Sequence, residues 1–187
     1  MQSPNSFLVK PLSGRRYDNI KTIGGIEFIT SSSKEDHTAS NRFAEVITTP
    51  IGYSGEISPG DLLLVHHNTF KFYNAMSGKE RSSNAFLFDD LFLITPDKYY
   101  MYNHDGEWKC DGRSSFVRPV KSDNSFINKG TAKEPLNGEM VYPSDFALGS
   151  GLTSGDKLMF APNSEYSFQV DGEELYRIYD THLTIKL

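Results

Sequence analysis

The chain has 187 residues, a formal net charge of −5, 13 phenylalanines, 10 tyrosines and a single cysteine. The acidic balance argues against binding dominated by DNA or RNA phosphates. Lone Cys110 excludes an intrachain disulfide and fits a reducing compartment, and no window is apolar enough for a membrane-spanning helix.

Met1-Gln2-Ser3-Pro4 opens no signal peptide, so a cytoplasmic location is expected, the host's cytoplasm if the gene is viral. The length suits one large domain or two of about 90 residues. The surplus of aromatics favours strands over helices.

In chain order, Phe7 to Leu12 reads as a short strand ending near Pro11. A polar stretch from Ser13 leads to Ile23-Gly24-Gly25-Ile26-Glu27-Phe28-Ile29. Thr30 to Asn41 is almost wholly polar and cannot offset its ordering entropy by burial, which predicts a mobile loop over about 22–41. Phe43 to Ile47 resumes a strand. Ser58-Pro59-Gly60-Asp61 is a turn feeding the apolar strand Leu62–Val65, because Gly accepts positive φ and Asp can bond the turn it ends. Ser77-Gly78-Lys79 marks a hairpin, and Asn84 to Ile94 closes the first half.

The second half begins after Thr95-Pro96-Asp97. Asp105-Gly106 predicts a hairpin over 99–110. Phe116 to Val120 repeats the opening of the chain, and Gly138-Glu139-Met140-Val141 repeats Ala44-Glu45-Val46-Ile47. Thr153-Ser154-Gly155-Asp156 then feeds Lys157–Phe160 as Gly60-Asp61 feeds Leu62–Val65. Tyr166–Val170 and Glu174–Ile178 alternate about Asp171-Gly172, and Leu183–Leu187 reads as a last strand. No long amphipathic helix is evident. Two such frameworks in one chain suggest an internal duplication.

The halves differ in one interval. From Lys10 to Glu45 is 35 residues, and from Arg118 to Glu139 is 21. The following interval, Glu45 to Asp61 against Glu139 to Asp156, is nearly equal. The surplus falls on Gly24-Gly25-Ile26 and the polar tract. A long polar insertion is more often a working loop than a packing element, although a tolerated surface insertion is the plainer explanation.

Other chemistry is weak. His66-His67 reads as adjacent strand residues facing apart, and His37, His104, His182 and Cys110 show no ligand spacing, so no metal is expected. Asp61 and Asp156 occupy matched turns and read as structural. Asp89 and Asp90 read as neighbours in a strand. No nucleophile elbow, phosphate loop or dinucleotide fingerprint is present, so neither an enzyme nor a cofactor is expected. Tyr99, Tyr100, Tyr102 and Trp108 could stack bases or sugars, but packing is the commoner use of such rings.

The first half resembles the co-chaperonin (GroES) family through Val9-Lys10-Pro11-Leu12, Gly24-Gly25-Ile26, Glu45-Val46, Pro59 to Val65 and Phe88 to Ile94, in order and spacing. The second half matches only the strand framework. The resemblance implies an all-β chain of two GroES-like irregular antiparallel β-barrel modules in tandem. Module one is 1–95 with the mobile loop; module two is 96–187, lacking the loop and preceded by the 99–110 hairpin. Tandem forms exist in plastids, and phages encode divergent ones.

The resemblance further implies a homo-oligomeric ring of seven that caps a nucleotide-loaded chaperonin and assists folding, with no nucleic acid or membrane as partner. Gly24, Gly25, Ile26, Glu27, Phe28 and Ile29 would dock on the chaperonin's apical domains. Glu27 departs from the family, which keeps an apolar residue there, and the Ile51–Pro59 stretch is short for the family's roof hairpin. The alternative is a virion structural or decoration protein built on the same barrel.

Overall fold

The computed structural model describes the chain apart from residues 18–19, 24–25, 30–39, 75 and 121–135; for 20–23, 26–29 and 74 it describes the backbone alone. The chain is mostly β, and it divides into two compact units, Met1–Glu107 and Trp108–Leu187.

The first unit contains β1 (Phe7–Pro11), β2 (Ile20–Ile23), β3 (Ile26–Ile29), β4 (Phe43–Thr48), β5 (Leu62–Val65), β6 (Phe72–Asn74), β7 (Glu80–Ser82), β8 (Phe86–Phe88), β9 (Leu91–Ile94) and β10 (Tyr99–His104). β11 (Glu107–Cys110) spans the division. Their main sheet runs β11-β10-β5-β4-β1-β9-β8, while β2-β3 and β6-β7 are separate two-stranded sheets. The second unit contains β12 (Ser114–Pro119), β13 (Asn137–Tyr142), the short helix α1 (Asp145–Gly149), β14 (Lys157–Phe160), β15 (Tyr166–Val170), β16 (Glu173–Tyr179) and β17 (Leu183–Lys186). Its sheet runs β15-β16-β12-β13-β14-β17.

Six strands of the first sheet, from β10 to β8, match the six of the second in order. β1 pairs with β4 as Val9↔Val46, Lys10↔Glu45 and Pro11↔Ala44, with a bulge between Leu8 and Val9. β12 pairs with β13 as Val117↔Met140, Arg118↔Glu139 and Pro119↔Gly138, with a bulge between Phe116 and Val117. The Lys10–Glu45 and Arg118–Glu139 pairs, aligned from spacing alone, thus occupy one register position, with ion-pair distances of 3.5 and 3.1 Å.

The Gly-Asp turns match as closely. Asp61 Oδ2 accepts from Ser58 N–H at 2.7 Å, and Asp156 Oδ2 accepts from Thr153 N–H at 2.8 Å. Gly60 and Gly155 hold φ of 98° and 89°, a region closed to most side chains. Each glycine N–H reaches back to the preceding strand, at Val46 O and Met140 O, both at 2.8 Å. These carboxylates tie turns, as their matched positions predict.

Apolar residues on the sheets build separate cores. In unit one Phe7, Val9, Val46, Leu63, Val65, Phe70, Phe92 and Ile94 pack together, with Phe70 and Phe92 edge to face at 4.8 Å. In unit two Val117, Met140, Leu158, Phe160, Tyr176 and Ile178 do so, with Ala147 of α1 buried among them. Each such buried side chain contributes about 1.5–3 kcal/mol.

Three expectations change. Tyr99–His104, expected to lead into the second module from a boundary at 95/96, is the sixth strand of the first sheet, pairing Tyr99↔Val65 and Met101↔Leu64. Its counterpart β17 pairs Leu183↔Phe160 and Ile185↔Met159 at the same place in the second sheet. Hairpin chemistry alone does not reveal which sheet a strand joins. Asp89 and Asp90 are not in a strand: both hold positive φ, 47° and 59°, in the turn between β8 and β9. His66 and His67 lie beyond the end of β5, with their rings 4.0 Å apart rather than on opposite faces.

Candidate functional site

The residues expected to dock on a partner fall between β1 and β4. Ile26, Glu27, Phe28 and Ile29 form β3, which pairs with β2 as Ile20↔Ile29, Lys21↔Phe28, Thr22↔Glu27 and Ile23↔Ile26. Gly24 and Gly25, between the paired Ile23 and Ile26, lie outside the described residues, as does 30–39. The β2-β3 pair is a sheet of its own rather than an addition to the seven-stranded one.

The neck from which this arm leaves and returns is built in detail. Tyr17 and Ser40 form an isolated antiparallel bridge. Asn41 N–H donates to Arg16 O at 3.0 Å. The Asn41 side chain donates through Nδ2 to Leu12 O at 3.0 Å and Arg15 O at 2.7 Å, and its Oδ1 accepts from Phe43 N–H at 2.9 Å. One buried amide therefore ties the returning side of the neck to the chain before β2 and to the start of β4. Tyr17 Oη accepts from Phe72 N–H at 3.0 Å.

Arg16 carries the rest of the neck. Its Nε donates to Asp90 Oδ1 at 2.7 Å, and its Nη1 donates to Ser82 Oγ at 3.2 Å. The guanidinium lies 3.9 Å from the Phe72 ring centroid, 4.9 Å from Phe86 and 5.0 Å from Phe92. Such stacking is characteristic of Arg and adds to the ion pair where water is excluded. The Arg16 side chain is 10% exposed and Asp90 55%. Arg16, Tyr17 and Asn41 were not singled out from sequence. The signal available was an Arg-Arg-Tyr run at the edge of the polar tract, and its partners are far off in the chain.

The other candidates resolve into structural roles. Tyr99 and Trp108 are buried, and Tyr102 donates through Oη to Glu56 at 2.9 Å, so these rings do not make an open stacking face. Trp108 Nε1 donates to Asp171 Oδ2 at 2.9 Å. Burial pushes the Cys110 thiol far above its usual range, and its Sγ lies 3.0 Å from Tyr142 O, an arrangement unsuited to a nucleophile. Among the described residues no group of three or more His, Cys, Asp or Glu is placed to hold a metal ion, and no helix is long and apolar enough to cross a membrane.

The equivalent turns of the two units meet different cations. His104 Nδ1 lies 2.8 Å from Asp61 Oδ2, and hydrogen bonding to that carboxylate raises the His104 pKa. Lys186 Nζ lies 2.6 Å from Asp156 Oδ2 and lowers the Asp156 pKa. In unit two Arg118 also reaches Glu173 through both Nε and Nη2, which holds the Glu173 carboxyl below its ordinary value.

No protein-family model matches the chain, and no curated protein matches it significantly.

Proposed function

We propose that the protein is a co-chaperonin: it forms a ring, caps a nucleotide-loaded chaperonin through the Gly24–Ile29 arm, and assists folding without chemistry of its own. The observation that carries this reading is the β2-β3 pair, a sheet of its own inserted between two neighbouring strands of the seven-stranded sheet. It interrupts the hairpin of β1 and β4 and stands on a hydrogen-bonded neck, while the equivalent interval of the second unit, 121–135, lies outside the described residues. A segment held outside both main sheets suits contact with another molecule better than packing within its own.

Burying Ile26 and Phe28 on a partner would return about 1.5–3 kcal/mol each. Ordering a segment on binding costs a few kcal/mol, so one arm binds weakly. Several arms on one ring gain about 10²–10⁴ by effective concentration. The test is recovery on a nucleotide-loaded chaperonin, wild type against Ile26→Asp. Recovery of the wild type alone is expected, and equal recovery or none for both refutes the reading.

A virion structural or decoration role is favoured by one observation. β17, the outer strand of the second sheet, exposes Ile185, and Leu187 beside it is exposed too. Apolar side chains along a sheet edge invite association. Enrichment in purified particles rather than in soluble extract would select that role.

A further inference from the structure

We infer that the Arg16–Asp90 pair is a clamp that positions the docking arm, and that Asp90, at a turn position suited to glycine, supplies the carboxylate that holds it. The inference rests on the docking role proposed above, but its first half is testable without a partner.

The argument starts from the two turns. Phe88 pairs with Leu91 in unit one and Val170 with Glu173 in unit two, so two-residue turns join β8 to β9 and β15 to β16. The residues are Asp89-Asp90 and Asp171-Gly172. Their φ values are 47° and 59° in the first and 51° and 80° in the second. A turn with both central residues at positive φ prefers Asn or Asp followed by Gly. The second unit has that pair, whereas the first places Asp90 where glycine avoids the Cβ conflict. Residues held in sparsely populated backbone regions persist where something else requires them.

What requires Asp90 is Arg16. Its Oδ1 lies 2.7 Å from Arg16 Nε and 2.5 Å from Nη2. Arg16 precedes the Tyr17↔Ser40 bridge, and its carbonyl accepts the Asn41 N–H, so fixing Arg16 fixes both sides of the neck. The Phe72, Phe86 and Phe92 rings flank the guanidinium, and among the described residues the Asp90 carboxylate is its charged partner. A pre-ordered neck lowers the ordering cost of docking, which is how rigidity raises affinity.

Asp90→Gly separates the clamp from the fold, because it installs the preferred turn residue while removing the carboxylate. The experiment compares wild type, Asp90→Gly and Arg16→Met by unfolding midpoint, by amide exchange at Asn41 and Phe72, and by affinity for a nucleotide-loaded chaperonin. The Arg16 Nε–H resonance, shifted by the surrounding rings, reports the clamp directly. The expected result for Asp90→Gly is an unchanged midpoint, faster exchange at Asn41, loss of the shifted resonance, and an affinity per arm lower by about 2- to 10-fold.

Unchanged exchange and resonance in Asp90→Gly overturn the clamp. Faster exchange with wild-type affinity overturns its role in docking. If wild type itself fails to bind, the co-chaperonin reading and the docking half of the inference both fall, and the exchange and resonance data alone decide whether the clamp orders the neck. Arg16→Met, matching Asp90→Gly in exchange, excludes an effect of turn geometry alone.

Discussion

Phe7 and Ser115 occupy the same place in the two sheets, opposite Ile94 and Ile178. Phe7 fills it with a ring, edge to face with Tyr53 at 5.0 Å and with Tyr99 at 5.7 Å. Ser115 donates instead to Asp180 Oδ1 at 2.8 Å, while Ser144 donates to Asp180 Oδ2 at 2.8 Å. The Ser115 hydroxyl accepts from Ser144 N–H at 3.1 Å, and Ser144 caps α1 by accepting from Ala147 N–H at 3.0 Å. One framework is thus locked by aromatic packing in the first unit and by a buried polar network in the second. The framework sets where a lock must sit, while the side chains set its chemistry and therefore the way it fails.

The sharpest way to break this comparison is at Asp180. Asp180→Ala removes the acceptor shared by two buried hydroxyls, at about 1–3 kcal/mol for each group left unsatisfied. Chemical denaturation should show the loss in unit two, with the near-ultraviolet signal of unit one's aromatic core keeping its midpoint. A matching loss in both units would mean that they unfold as one.

A smaller effect is expected where β13 crosses β12. A Cβ on Gly138 would sit 2.8 Å from Arg118 O and 3.3 Å from the Val117 side chain. At the same register position unit one carries buried Ala44. Gly138→Ala should destabilise unit two by about 1–3 kcal/mol through overpacking, measured by urea titration. A neutral outcome would show that the strands can shift to admit a Cβ there.

The smallest effect concerns pH. The folded-state pKa of His104 lies above its ordinary 6.5, through its bond to Asp61. That contribution is fully present below 6.5 and is lost as pH rises through the raised folded value. The folded-state pKa of Asp156 lies below its ordinary 3.8, through Lys186. Its contribution is present above 3.8 and is lost as pH falls through the depressed value. Titration followed by NMR should therefore loosen the His104 end of β10 from neutral pH upward and leave β17 unchanged there. His104→Lys should abolish the difference in that range.

Much of the framework was legible because turn chemistry and strand alternation act over a few residues. Asp105-Gly106 and Asp171-Gly172 turn with both residues at positive φ, Gly78 does so between β6 and β7, and the Gly60-Asp61 and Gly155-Asp156 turns repeat bond for bond. The Lys10–Glu45 and Arg118–Glu139 correspondence followed from spacing, since a shared register preserves spacing. At the candidate site the sequence drew attention to the interval holding Gly24–Ile29 but not to its neck. Asp89-Asp90 misled because two non-glycine residues took the backbone that glycine usually takes, compensated by a distant arginine.

By itself, then, the sequence determined a β-rich chain, its turns, and a duplicated strand framework with one interval enlarged, because these depend on local backbone preference and on the order of apolar segments. Tertiary structure decided which sheet Tyr99–His104 would join, that Arg16 would lie among Phe72, Phe86 and Phe92 against Asp90, and that Ser115, Ser144 and Asp180 would meet. Those outcomes depend on backbone edges and side chains brought together from distant parts of the chain, and their energies arise only when the fold excludes water from them.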